Sequence, residues 1–337
     1  MPDGVLVTGG AGYIGSHVAR QLGEAGRRVV VIDDLSKGFR EAVIHGDLVV
    51  GNFGDRDLVD RVLREHEVGS VLHFAAHTVV PDSVARPHAY YRNNTVNTLS
   101  LLESCVEAGV REFIFSSTAA VYGIPDTDTA YEDSPTQPIN PYGASKLMSE
   151  RILRDMCAAS GMRHVILRYF NVAGSDPECR IGQATPEATL LIKVACEVVT
   201  GKRPHLKVFG TDYPTPDGTG VRDYIHVEDL ASAHLRALDW LQGGGESLTL
   251  NCGYGHGYSV REVIQAVERV SGGPINVIDE PRRPGDPPTL VADAHRVREL
   301  LGWTPRYDDL DTIVATSLAW ERKLAACNGK YPNPGPG

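Results

Sequence analysis

Val5-Leu6-Val7-Thr8-Gly9-Gly10-Ala11-Gly12-Tyr13-Ile14-Gly15-Ser16 is the stretch that decides the fold. A β-favouring run enters three glycines at GxxGxxG spacing (Gly9, Gly12 and Gly15), and a helical pattern begins at Ser16. One glycine makes the tight strand-to-helix turn, one lets a pyrophosphate approach the backbone, and one lets helix and strand pack closely. The helix start then offers unpaired N–H groups and its positive dipole end to phosphate oxygens. A second apolar run, Val29–Asp33, ends in an acid 18 residues after Gly15. A carboxylate there hydrogen-bonds the adenosine ribose hydroxyls and repels a 2′-phosphate, so NAD is expected rather than NADP. A glycine triplet alone marks only a tight turn; the strand, helix and acid around it make a dinucleotide site.

Outward from this unit, apolar runs at Val71–Ala75, Glu112–Ser117 and His164–Tyr169 alternate with helical patterns at Leu58–His66, Val96–Ala108 and Gly143–Ala159. Repeated βαβ units with nearly all-apolar strands predict an α/β fold: a Rossmann-type doubly wound parallel sheet buried on both faces. After about Gly174 the texture changes, with Pro and Gly crowding Asp212–Gly220. The expected organisation is an NAD-binding domain over 1–174 and a smaller mixed α/β substrate domain over 175–330. Segments such as 222–252 are candidates to pack back on the first domain. The end of the chain, Asn328–Gly337, is rich in Pro and Gly, and a flexible tail is expected at 331–337.

Pro141-Tyr142-Gly143-Ala144-Ser145-Lys146 places Tyr142 and Lys146 one helical turn apart on one face. A phenol near its ordinary pKa of about 10 is a poor base at neutral pH. A neighbouring ammonium and the positive nicotinamide of NAD favour the phenolate. Upstream, Phe115-Ser116-Ser117-Thr118 ends a strand in hydroxyls, and Thr118 is placed to hydrogen-bond a substrate oxygen that exchanges a proton. Tyr-x-x-x-Lys alone is common on helix surfaces. Thr118, Tyr142 and Lys146 in this order after a dinucleotide turn read as catalytic.

Composition narrows the partners. The 337 residues carry a net charge of −10, which offers no field for polyanions, so nucleic acid is not expected. Six scattered cysteines without a CxxC pair read as buried thiols in a reducing compartment. Neither a basic-then-apolar leader nor an apolar run of membrane-spanning length is seen, so a cytoplasmic protein without a membrane or metal partner is expected.

The GxxGxxG spacing resembles the extended short-chain dehydrogenase/reductase superfamily. GGAGYIGSH, YYRNN, FSSTAAVYG, NPYGASKLM, LRYFNVAG, VFGTDYPTPDGTGVRDYIHVEDLA and PRRPGDP resemble, in order and over nearly the whole chain, the UDP-galactose 4-epimerase family. The resemblance implies that Tyr13, Ile14 and Asp34 join the glycines and Asp33 in holding NAD. It puts Asn52 and Phe53 beside adenine, and Phe74, Ala75, Ala76 and Asn93 along the loop and helix start near the ribose. Ser116 and Phe170 border the nicotinamide end, which Tyr142 and Lys146 also reach. For a UDP-sugar it implies Asn171 and the arginines Arg222 and Arg283 at the phosphates. Val208 and Phe209 fall at uridine, Asp286 at its ribose, and Leu191, Leu290, Thr118 and Tyr142 toward the hexose. Paired guanidinium forks suit a diphosphate enclosed by a closing domain. For Arg222 an ordinary ion pair with Asp223 or Asp229 is the competing reading.

The implied activity is an isomerase of galactose metabolism: 4-epimerisation of UDP-galactose to UDP-glucose through a transient 4-keto sugar. Ala119 and Ala120 stand where dehydratases and decarboxylases of the superfamily carry an acid, and alanine moves no proton. The alternatives are the same chemistry on UDP-N-acetylhexosamine, UDP-glucuronate or a UDP-pentose, a net NAD-dependent sugar dehydrogenase, and a non-catalytic NAD-sensing protein. Thr78 and Leu190 depart from common family members near the sugar, and Leu290 is intermediate between the large and small residues found at that position. The resemblance also implies a homodimer through Tyr90–Ala108 and Ser145–Ala159, with Leu99, Leu102, Val106, Leu147 and Ile152 suited to the contact.

Overall fold

The computed structural model describes residues 3–332 except 187 and 284. Seven parallel strands form the central sheet: β1 (Gly4–Thr8), β2 (Val29–Asp33), β3 (Asp47–Val50), β4 (Val68–His73), β5 (Glu112–Thr118), β6 (Arg163–Tyr169) and β7 (Leu248–Cys252). Their order is β3-β2-β1-β4-β5-β6-β7, every pairing parallel. The chain reverses its direction of travel between β1 and β4, where an open α/β sheet forms its ligand crevice.

Helices cover both faces: α1 (Tyr13–Glu24), α2 (Arg56–Glu65), α3 (Asn97–Ala108), α4 (Pro141–Ser160), α5 (Leu191–Val199), α6 (Val227–Gln242), α7 (Val260–Ser271), α8 (His295–Leu301) and α9 (Leu310–Ala326). Alternation along β1 shows the two layers. Val5 and Val7 enter the core shared with α1 and α6, whereas Leu6 enters the core shared with α2, α3 and α4. This is the doubly wound architecture expected of the strand runs. A smaller mixed part accompanies it, with a four-stranded sheet built from 129–130, 221–222, 258–259 and 289–292.

Several details differ from the sequence reading. The fourth strand is Val68–His73, because the N–H groups of Phe74 and Ala75 both turn to the Thr8 carbonyl and leave the ladder. The half-exposed β3 was not anticipated. The last sheet strand comes from far downstream, Leu248–Cys252 pairing with β6. Leu102 is fully buried in the core and is withdrawn as a surface contact. Of the tail expected at 331–337, residues 333–337 lie outside the described residues. Tyr331 is buried, so fraying does not extend through Asn328–Tyr331.

Candidate active site

The crevice opens at the carboxyl ends of β1, β2, β3 and β4, with about 580 Å³ of empty space. Gly9 sits at φ +71°, where a Cβ would fall 2.6 Å from the Ala75 nitrogen. A Cβ on Gly15 would fall 2.2 Å from the Gly9 carbonyl oxygen, so helix and turn touch through glycine alone. Gly12 caps α1 without a side-chain partner, which leaves N–H groups of the helix start free for an anion. Asp33 accepts the N–H of Ala11 at 3.0 Å and of Leu35 at 2.9 Å, fixing its carboxylate beside the turn. Burial, with Asp34 close by, raises its pKa, and the two N–H bonds work against that rise.

Of the sequence-derived cofactor residues, Gly9, Gly12, Asp33 and Asp34 line this crevice, as do Asn52 and Phe53, Phe74 to Ala76, and Asn93. Ile32, Gly51, His77 and the loop residues Ser36, Lys37 and Gly38 also line it, and a loop without periodicity gave no signal for the last three. Tyr13 turns elsewhere, its hydroxyl donating to the Gly174 carbonyl at 2.6 Å, and Ile14 packs into the core beneath α1. The turn, the acid and the open crevice fit a dinucleotide, from the pyrophosphate at Gly12 to the ribose at Asp33.

Thr118 closes β5 and Tyr142 stands in the first turn of α4, where the Asn140 side chain caps the Gly143 N–H at 2.9 Å. The Thr118 hydroxyl, which accepts the Ala120 N–H at 3.1 Å, lies beside the Tyr142 phenol. Burial raises the Tyr142 pKa, and the Thr118 hydroxyl lowers it. Lys146 lies one turn on, its ammonium 4.3 Å above the Phe115 ring. Burial brings its pKa down to about 7, against the pull of Glu150. Ser116 is hydrogen-bonded to the Tyr169 hydroxyl. Phe170 and Leu290 pack with Ala119, Val121 and Tyr122 in one small apolar cluster beside Thr118.

The residues expected at a nucleotide sugar are spread over several elements of the second half of the chain. Arg222 stands opposite Leu290 in the parallel pairing of 221–222 with 289–292, and its guanidinium donates to the Val221 and Pro288 carbonyls at 2.8 and 3.4 Å. The proposed ion pair with Asp223 or Asp229 is not what those acids do. Asp223 accepts N–H groups of Tyr254, Gly255 and Ala292, and Asp229 those of Arg306 and Tyr307. Arg283 lies over the Phe209 ring at 3.7 Å, and Asp286 is exposed on the same loop. Asn171 begins the strand 171–173, its N–H donating to the Asp223 carbonyl. The Val208 side chain is buried in the core, so what it offers at the surface is backbone, and Leu191 packs partly against the same core.

Two supports escaped the sequence reading. Residues Tyr91–Val96 form a π-turn, one residue wider than α, and Asn94 within it bridges the His77 backbone and the Ser145 hydroxyl. Glu150, buried on α4, accepts from Ser117 at 2.5 Å, from Arg168 at 3.0 and 2.7 Å, and from Arg154 at 2.8 Å. Its place four residues beyond Lys146 was the available signal.

A crevice shaped for a dinucleotide, with a hydroxyl, a phenol and an ammonium at the end of the neighbouring β5 and the start of α4, fits a nucleotide-dependent proton- and hydride-transfer enzyme. Residues 5–253 match the family model described as NAD dependent epimerase/dehydratase family. The chain is 60% identical over 332 residues to a UDP-glucose 4-epimerase of Azospirillum brasilense, covering 98% of this chain and 95% of the relative. A crystal structure of UDP-glucose 4-epimerase from Brucella ovis in complex with NAD superposes with a TM-score of 0.92 at 44% identity, covering 94% of this chain and 98% of that one. The UDP-glucose-4-epimerase of Stenotrophomonas maltophila, with bound NAD and formylated UDP-arabinopyranose, gives 0.93 at 38% identity, with 96% and 99% covered. The chain belongs to the NAD dependent epimerase/dehydratase family.

Proposed function

We propose that this chain interconverts UDP-galactose and UDP-glucose by oxidation and re-reduction at carbon 4 of the hexose. The observation that carries the reading is the grouping of Thr118, Tyr142 and Lys146 at the end of β5 and the start of α4, with Ala119 and Ala120 after Thr118, which offer no proton. NAD, when bound, supplies the hydride acceptor and donor for carbon 4. The protons belong to the chain. Tyr142 takes the proton of the 4-hydroxyl and later returns it to the 4-keto oxygen. Thr118, beside the Tyr142 phenol, holds that same oxygen. Lys146, as an ammonium, favours the phenolate. Arg222 and Arg283 take the diphosphate, Asn171 assists them, and Val208, Phe209 and Asp286 take uridine and its ribose. The hexose, bordered by Leu191 and Leu290, is held loosely enough to present either face.

Residues 1–174 serve the cofactor and 175–330 the nucleotide sugar, with 222–252 returning to the first part. The exposed apolar residues Val84, Val96 and Met148 support a homodimer through the flanking helices. Among the described residues no helix is long and apolar enough to cross a membrane, and all six cysteines are free, which supports a place in the reducing cytoplasm.

Purified protein incubated with UDP-galactose, without added NAD, is expected to form UDP-glucose, read by chromatographic separation. No product refutes the galactose assignment. Tyr142→Phe is expected to lower turnover by about 10³-fold with UDP binding retained; full activity in that variant refutes the base assignment. A second reading, the same chemistry on UDP-N-acetylhexosamine, UDP-glucuronate or a UDP-pentose, is favoured by the medium-sized Leu290 beside the site and by the pentose held in the Stenotrophomonas structure. A profile across UDP-sugars separates the two.

A further inference from the structure

One wall of the cofactor crevice belongs to no strand or helix. Residues 34–39 leave β2 without regular structure, and Ser36, Lys37 and Gly38 among them face the crevice. Their backbone is held at few points. The Asp33 and Asp34 side chains accept the N–H groups of Leu35 and Ser36, and Leu35 sits at φ +58°, a conformation leucine avoids. The Phe39 N–H donates to the Ala11 carbonyl of the glycine turn at 2.9 Å. Such a wall needs an apolar anchor, and its one large apolar ring is Phe39.

Phe39 stacks on Tyr331, ring centroids 4.9 Å apart and planes 29° from parallel. Tyr331 comes from the other end of the chain. Its ring packs on Trp320 at 5.2 Å, and its hydroxyl accepts the Gly182 N–H at 3.2 Å. The return of the chain is specified locally. After α9 the Gly329 N–H donates back to the Leu324 carbonyl at 2.9 Å, with Gly329 at φ +73°. The resulting cluster is small and stands apart from the two cores on the sheet faces. A satellite of this size opens at a lower cost than the sheet does.

We infer that Tyr331 is a strap: it holds the 34–42 wall against the adenosine half of NAD and thereby sets how slowly the cofactor leaves. The inference rests on the crevice being the NAD site and not on the identity of the sugar. Ordering the wall before binding removes that cost from the binding step. The reaction proposed above returns its cofactor unchanged, so slow release lets one bound NAD serve many turnovers.

The test uses the full chain and the variants Tyr331→Ala, Tyr331→Phe, Phe39→Ala and the double alanine variant. NAD content after dialysis and the NAD release rate are read directly, so a wrong sugar assignment leaves the readout unaffected. Tyr331→Ala is expected to release NAD about tenfold faster, the worth of one lost aromatic pair. Tyr331→Phe keeps the stack and stays near the parent. Phe39→Ala releases NAD faster in the same way. The double variant is no worse than Tyr331→Ala, because the stack that reaches the wall is already gone in either single variant, while the Trp320 contact and the Gly182 bond that Tyr331→Ala also loses do not touch the wall. With saturating added NAD, turnover returns to the parent value while the NAD concentration for half-activity rises. Should Tyr331→Ala fail to fold, Phe39→Ala, on the opposite side of the stack, carries the test. Parent-like NAD release in the folded variants, or additive losses in the double variant, overturns the strap.

Discussion

Glu150→Gln tests how the site holds its lysine charged. The substitution keeps shape and volume but removes a negative charge one helical turn from Lys146. Side chains at that spacing sit roughly 6 Å apart, and at an effective dielectric near 20 the attraction is about 3 kcal/mol, or about two pKa units. Arg168 and Arg154 share the same carboxylate and offset part of this, leaving about one unit. Lys146, brought by burial to about 7, would then titrate near 6. At pH 7 its charged fraction falls from about one half to about one tenth, so turnover falls roughly fivefold. The assay is the pH profile of UDP-galactose conversion, whose alkaline limb is expected to move about one unit toward acid, with activity recovering below pH 6. The same variant leaves Arg168 buried beside a neutral amide, so unfolding stability is expected to drop by about 3 kcal/mol. Loss of stability with an unmoved alkaline limb would refute the electrostatic role and leave Glu150 as a strut between β5 and α4.

Two further substitutions address the cofactor and the pH range of stability. Asp33→Asn removes the charge beside the glycine turn and leaves one carbonyl oxygen for the N–H groups of Ala11 and Leu35. NAD affinity is expected to fall about tenfold and the preference for NAD over NADP to narrow; titration of cofactor-free protein with both checks it, and an unchanged ratio refutes the 2′-phosphate argument. Glu228 couples α6 to α1 through His17, Arg20 and Gln21. Burial alone would raise its pKa, but the bonds from His17 and Gln21 and the charge of Arg20 prevail and bring it to about 2. A carboxylate depressed in the folded state contributes stability above its unfolded pKa, and that stability is lost as pH falls from about 4.5 toward 2. Denaturant unfolding of Glu228→Gln is therefore expected to show a deficit of about 3 kcal/mol at pH 6 that shrinks by pH 3. A deficit independent of pH contradicts the assignment.

The parts legible in the sequence are those whose chemistry is written in adjacent residues. The glycine turn, Asp33 at the end of the next strand, and Tyr142 with Lys146 one turn apart are each specified within a few positions. Features set by distant partners were not legible. Val68–His73 ends where the Thr8 carbonyl takes the next two N–H groups, a competition between two strands that neither strand records. Leu248–Cys252 joins the main sheet only because β6 presents a free edge to it. Asp223 and Asp229 looked available to Arg222, yet each is consumed by N–H groups more than twenty residues away. Tyr331, read as tail, is buried by Trp320 and Phe39, both remote in sequence.

The π-turn also fixes the protonation of a buried histidine beside the site. Thr98 donates its hydroxyl proton to the Asn94 carbonyl at 2.7 Å, so toward the His73 Nε2 at 2.9 Å it can only accept. His73 therefore carries its proton on Nε2, and its Nδ1 accepts from the Thr8 hydroxyl at 2.6 Å. Burial, and the positive charge of Lys146, hold its pKa well below the ordinary value, and both ring nitrogens are satisfied in the neutral form. Phe115 contacts both bases: the imidazole stacks with it at 5.7 Å, and Lys146 sits 4.3 Å from its centroid. A protonated His73 would place a second cation near Lys146 and drive the lysine toward its neutral amine. The Asn94 carbonyl that fixes this arrangement also accepts from Ser149 on α4 at 2.6 Å, and its side-chain amide donates to Ser145. The extra residue of the turn thus turns one backbone carbonyl toward both the β4 histidine relay and the helix that bears Tyr142 and Lys146. Asn94 in this way orients the His73 relay and braces the helix turn that carries Lys146.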